Sequence, residues 1–279
     1  MQWWCSALGI PWEWTWRAYP GVWLFIFLLF ALYRRILRRA DQVAPDAPGR
    51  RGRTISFGIG LVSLWLALDW PIGALGAGYL ASAHMVQFLL IGLIVPPLLL
   101  YGIPPVAYEP LRRRPALLRV LGFLTHPLIA IVIFNGVVLG THTPMVADAL
   151  MKSQLGSAAI DLAWLGSAFI FWWPLIAPLP ERRWMHPLVK TAILTAQLIV
   201  GKPIFVYLTF AEYPVYATYE LAPRVNGMTA QADQQIAGLL MEVAGAFILL
   251  AATTILFLSW AKREERADRR AEPARSSAA

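Results

Sequence analysis

Apolar residues in this chain gather into seven long blocks, at about 19–32, 55–70, 80–101, 126–140, 158–177, 186–210 and 235–260. Short polar or basic connections separate them. Long apolar blocks, as opposed to short alternating ones, predict membrane helices. The expected fold class is therefore all-α, a polytopic membrane helix bundle with seven transmembrane helices over 19–260. The third block contains Pro96-Pro97, where the helix is expected to break. The stretch 1–18 lacks a basic start and is rich in tryptophan, so it predicts a segment lying at the membrane interface and not a cleavable leader. Residues 261–279 are charged and are expected to form a disordered tail.

Composition sharpens this picture. Hydrophobic residues make up 58% and charged residues 14% of the 279, whereas soluble domains are about a quarter charged. The net charge of +8 lies in the connections and the tail, which argues against a nucleic-acid partner. Nineteen Lys and Arg fall in the connections after the first, third and fifth blocks and in the C-terminal tail. Only Arg17, Lys152 and Arg224 fall on the opposite side, and Lys190 and Lys202 lie within the sixth block. The positive-inside rule then predicts an external N-terminus and a cytoplasmic C-terminus. A single cysteine, Cys5, excludes an intrachain disulfide and a cysteine-cluster metal site.

With that orientation, metal-competent side chains concentrate in the outer half. His84 and Met85 open the third block; His142, Met145, Asp148 and Met151 follow the fourth; Asp161 begins the fifth; Asp233 precedes the seventh, and Met241 and Glu242 sit two turns into it. Imidazole and thioether donors suit Cu(I). The candidate metal ligands are His84, Met85, His142, Met145, Asp233 and Met241, and the intramembrane polar residues are Glu242, Lys202 and Asp161. Each has a plainer reading. Methionine fills cores, Asp233 stands where an N-cap would, and His126-Pro127 and His186-Pro187 read as helix starts. Gln234, Gly238, Met241 and Gly245 form one narrow face that a neighbouring helix can approach. Glu242 beside it needs a buried donor such as Lys202 or His84.

Read in order, the run His84-Met85-x-Gln87 with Pro96-Pro97, then Thr141-His142-x-Pro144, Phe171-Trp172-Trp173-Pro174 and Asp233-Gln234-Gln235-x-Ala-Gly238-x-x-Met241 resembles the CtaG-type cytochrome c oxidase assembly factors, a seven-span bacterial membrane family. The resemblance implies a non-enzymatic assembly factor of the bacterial cytoplasmic (inner) membrane. It also implies cytochrome c oxidase subunits as partners, and copper handled, or an oxidase subunit docked, at the outer face. It further implies a histidine one turn after His84, where this chain has Phe88, and histidines at the start of the fifth block, where it has Asp161. Alternative readings are a small-ion or metal transporter or channel along Glu242, Lys190 and Lys202, and a haem protein with two axial histidines.

Overall fold

The computed structural model of the chain describes residues 2–45, 47–176, 185–200 and 202–276, with side chains as far as 266. These residues are helical, with no strand among them. We number the helices α1 (Pro20–Val43), α2 (Arg50–Leu68), α3 (Ile72–Gly78), α4 (Ala81–Gly102), α5 (Pro115–Leu124), α6 (Pro127–Thr141), α7 (Pro144–Met151), α8 (Gln154–Ile176), α9 (Pro187–Val200), α10 (Lys202–Phe210) and α11 (230–276). Five candidates are long and apolar enough to cross a membrane: α1, α4, α8, Pro187–Phe210 and α11. Two bent pairs, α2 with α3 and α5 with α6, raise the number to seven if each is one span. At 15 residues, α6 measures about 22 Å and falls short of the roughly 30 Å hydrocarbon core by itself. Its companion α5 joins it at 65°.

Local chemistry explains several helix limits. Proline stands in the first turn of α1, α5, α6 and α7, where its fixed φ suits the helix and its missing N–H costs nothing. The last helix starts at Ala230, earlier than the apolar pattern suggests, because Thr229 caps it by accepting from the Ala232 N–H at 3.2 Å. It then runs beyond the apolar block to Ser276. The connection with Glu181, Arg182 and Arg183, and Gly201, lie outside the described residues.

Pro96-Pro97 does not break α4, contrary to the expectation from sequence. Residues Leu90–Ile94 widen into a π-helical turn, and Val95–Gly102 continues as α-helix. Proline at 96 removes the donor that the Gly92 carbonyl would otherwise use. The Trp172 indole on α8 supplies a replacement at 3.0 Å. The bundle thus carries a two-proline helix because a partner helix satisfies the freed carbonyl. A second π turn, Leu240–Ala244, interrupts α11 and packs beside α4.

Small residues set how closely the helices approach. A Cβ on Gly60 would meet the Leu99 side chain at 2.9 Å, and one on Gly102 would meet the Phe57 Cβ at 2.6 Å, so α2 and α4 lie nearly in backbone contact. Gly238 on α11 lies against Leu208 and Thr209 of α10, the close approach that the narrow face of small residues predicts. The beginning of the N-terminal stretch is tied into the bundle: Trp4 and Cys5 are buried, Ala7 N donates to the Met151 carbonyl at 3.1 Å, and Trp3 N donates to Gln154 at 2.7 Å. Farther on, Trp14 and Trp16 are exposed.

Candidate functional site

The first turn of α4 is held from three sides. Asp233 on α11 accepts from the Ala81 N–H at 2.5 Å, the Ser82 N–H at 3.2 Å and the Ser82 hydroxyl. Asp233 therefore caps a neighbouring helix, while Thr229 caps its own. Gly76 of α3 lies under the same turn; a Cβ there would come within 3.0 Å of the His84 Cα. Asp161 on α8 accepts from Gln87 Nε2 at 2.9 Å and from Trp4 Nε1 at 2.8 Å, which fixes one side of α4 and pins the N-terminal segment.

This framing directs His84 and Met85 into the bundle. His84 is 7% exposed and His142, at the end of α6, is 6% exposed. Trp164 on α8 is their common wall: its ring is 4.8 Å from that of His84 and is stacked on His142 at 5.7 Å. The His142 Nδ1 lies 2.7 Å from the Val138 carbonyl. A carbonyl only accepts, so Nδ1 carries the proton and the neutral ring presents a lone pair at Nε2. That Nε2 and the Nδ1 of His84 are both buried without a hydrogen-bond partner among the described residues. Such orphaned polar atoms cost free energy and are uncommon in a folded interior.

Both histidines line one cavity of about 10 Å³, with Met85, Met151, Tyr216 and Tyr219 among its other walls; the space holds about one water-sized atom. Tyr216 donates to the His142 carbonyl at 2.8 Å, and Tyr219 donates to the Gly76 carbonyl at 2.7 Å with the Met151 sulfur 3.8 Å away. Burial pushes both phenols well above their ordinary range, so they stay protonated donors. A second small cavity shares His84 and Met151 and adds Cys5, Ser157 and Asp161. The Ser157 hydroxyl is likewise buried and without a partner among the described residues.

Imidazole and thioether, the donor types lining this cavity, belong to the soft end of the ligand scale. No three His, Cys, Asp or Glu side chains gather around a common point among the described residues, which disfavours harder ions that ask for several such ligands. A nitrogen about 2 Å from a metal puts the imidazole centroid about 3 Å from it, so two rings sharing one ion stand about 5 Å apart in a tetrahedral arrangement and about 6 Å apart in a linear one. The His84 and His142 centroids are 6.3 Å apart.

The remaining candidates lie elsewhere. Met145 is 84% exposed and does not reach the cavity. Asp233 is occupied by its capping bonds. Met241 and Glu242 line a different cavity of about 50 Å³, together with Asn135 and Gln197. Glu242 forms an ion pair with Lys202, one of the partners its depth demands. Phe88, where a further histidine is implied by resemblance, packs edge-on against His142 at 5.4 Å and Trp164 at 5.1 Å. Pattern reading placed Met151 on the outer side but gave it no role. It also used Cys5 only to exclude other chemistry and overlooked Trp164. The usable signal for Trp164 was its place one turn beyond Asp161, on the same face of α8.

Searches of curated proteins and of solved structures return no match. A family model described as cytochrome c oxidase caa3 assembly factor (Caa3_CtaG) matches residues 7–263, nearly the whole helical bundle. The chain belongs to the cytochrome c oxidase caa3 assembly factor family.

Proposed function

We propose that this protein spans a bacterial cytoplasmic membrane seven times, N-terminus outside, and serves oxidase assembly by holding Cu(I) as cargo near the outer face. The reading rests on one observation: two buried imidazoles, whose His84 Nδ1 and His142 Nε2 lack partners among the described residues, line the same small cavity as Met85 and Met151. A bound soft cation would satisfy both nitrogens, and thioethers add softness without charge. The charge asymmetry of the connections supports the orientation. We assign no catalytic step to this site; its chemistry is ligation and transfer.

Cu(I) competition between the purified protein and a chromophoric chelator tests the reading. We expect one tightly held Cu(I), lost by at least about tenfold in affinity on His84→Ala or His142→Ala, because few ligands remain to compensate. Unchanged binding in the double variant would overturn it. A docking role toward an oxidase subunit has its own support in Met145, Tyr213 and Leu221, apolar side chains left exposed on the same outer end. That reading predicts subunit capture that survives loss of both histidines.

A further inference from the structure

The opposite end of the bundle carries a cleft of about 360 Å³ between the last turns of α1 and the connection that follows α4. Its apolar lining includes Ile36 and Ala40 from α1 and Val106 and Ala107 from the connection, and each of the two segments also contributes an arginine to the lining, Arg39 from α1 and Arg113 from the connection. Among the described residues the nearby acids are matched: Glu109, which itself lines the cleft, pairs with Arg112 at 2.8 Å and Asp41 with Arg50 at 2.6 Å. Arg53 donates to the Tyr101 carbonyl at 2.8 Å. Neither the Arg39 nor the Arg113 guanidinium has a hydrogen bond or ion pair among the described residues. The cleft therefore combines an apolar wall with two unmatched guanidinium groups.

Its depth suggests the occupant. The 24 residues of α1 extend about 36 Å, and the hydrocarbon core takes about 30 Å. The apolar run ends at Leu32 and basic residues begin at Arg34, so the turn from Ile36 to Val43 stands at headgroup level. Guanidinium forks match phosphate oxygens in pairs, and basic pockets beside membrane helices take anionic headgroups. The volume falls within the range of roughly 300–1,000 Å³ common for ligand sites.

We infer that this cleft binds an anionic phospholipid, its phosphodiester held by Arg39 and Arg113 and its glycerol and upper acyl carbons against Ile36, Ala40 and Val106. The assignment requires only that this end of the bundle meets a membrane surface. It is independent of copper and of the oxidase.

The test is native mass spectrometry of the full-length protein in a non-ionic detergent, titrated separately with phosphatidylglycerol and phosphatidylcholine. Phosphatidylglycerol is expected to be retained preferentially. The Arg39→Ala, Arg113→Ala double variant is expected to bind it about thirtyfold more weakly, because two charge-assisted contacts to one phosphate are lost. Arg114→Ala, the loss of an exposed neighbour that does not line the cleft, should change binding less than about twofold. If the alanine pair fails to fold by size-exclusion chromatography, the single Arg39→Gln and Arg113→Gln variants carry the same comparison. Equal retention of phosphatidylcholine would overturn the proposal. So would an equal loss in Arg114→Ala, which would indicate diffuse charge. Inorganic phosphate at millimolar concentration displacing phosphatidylglycerol would identify a free-anion site and overturn the lipid assignment.

Discussion

Replacing Asp233 by alanine would strip three hydrogen bonds from the first turn of α4, two from backbone N–H groups and one from the Ser82 hydroxyl. Bonds to a charged acceptor are worth about 1.5–3 kcal/mol each, and loss of an N-cap typically costs about 1 kcal/mol. The three share one carboxylate and are not additive. Part of the loss is also recovered because polar groups unfolded within a bilayer find other partners. A cost of about 2–3 kcal/mol remains, against a total stability of about 5–15 kcal/mol. Asp233→Asn keeps one acceptor and should lose about 1 kcal/mol, and Ser82→Ala less than that.

Thermal unfolding of the detergent-purified protein, with and without Cu(I), is the assay. For a chain of this size about 2–3 kcal/mol corresponds to a fall in midpoint of roughly 4–12 °C. A capping role predicts that order, alanine below asparagine below serine-to-alanine, with Cu(I) affinity preserved in every variant that folds. A ligand role predicts the converse. If Asp233→Asn melts like the parent and loses Cu(I) affinity by tenfold or more, the capping argument is wrong.

Other outcomes can be checked on the same material. Gly238→Val forces a branched side chain against Leu208 and Thr209 and is expected to destabilise by about 1–3 kcal/mol; an unchanged midpoint would mean that α10 and α11 separate freely. Lys202→Met leaves Glu242 without its ion-pair partner, so this single variant should unfold more readily than Lys202→Met with Glu242→Leu; the reverse order would refute the pairing. Burial, then the Asp161 and Asp69 carboxylates, pushes the Cys5 thiol well above its ordinary range. Its alkylation at pH 8 in the native protein should be at least about tenfold slower than in the unfolded chain and should accelerate in Trp4→Ala; fast native labelling would contradict the buried strap. Phe88→His places a third imidazole beside His142 and should tighten Cu(I) binding; lower stability with no gain in affinity would mark position 88 as packing only.

The long helices were legible because period and length suffice for them: each of the seven apolar blocks holds one or more of the described helices, and proline in the first turn marks several starts, whereas the short helices α3, α5 and α7 fall in stretches that read as connections. What the pattern missed depends on partners far away in sequence. Pro96-Pro97 reads as a break from local sterics alone, and only the Trp172 indole, 80 residues on, makes the continuous helix tolerable. Asp233 looks like a local cap or a ligand until α4 is brought to it across 152 residues. The tryptophans at the N-terminus read as interfacial by composition, and Trp14 and Trp16 fit that, but Trp4 finds a buried acceptor 157 residues away. Side-chain type suggests which interactions are available; topology decides which are made.

That distinction also explains why the soft donors stand out at the site. Four of the oxygen-bearing side chains of the outer half are spent on construction: Asp148 accepts from the Ala217 and Thr218 N–H groups, Asp161 from Trp4 and Gln87, Asp233 from the α4 terminus, and Gln234 bridges Leu208, Tyr213 and Val215. Drawing any of these carboxylates onto an ion would strand buried donors at a cost of about 1–3 kcal/mol each. The His84 Nδ1 and the His142 Nε2 carry no such debt among the described residues, and thioethers are weak acceptors with little hydrogen bonding to lose. An ion arriving at this cavity therefore meets nitrogen and sulfur as the inexpensive ligands and oxygen as the expensive ones. Even with both family-implied positions, 88 and the start of α8, occupied by other residues, the site's selectivity should lean toward Cu(I) because its competitors' preferred ligands are already in use.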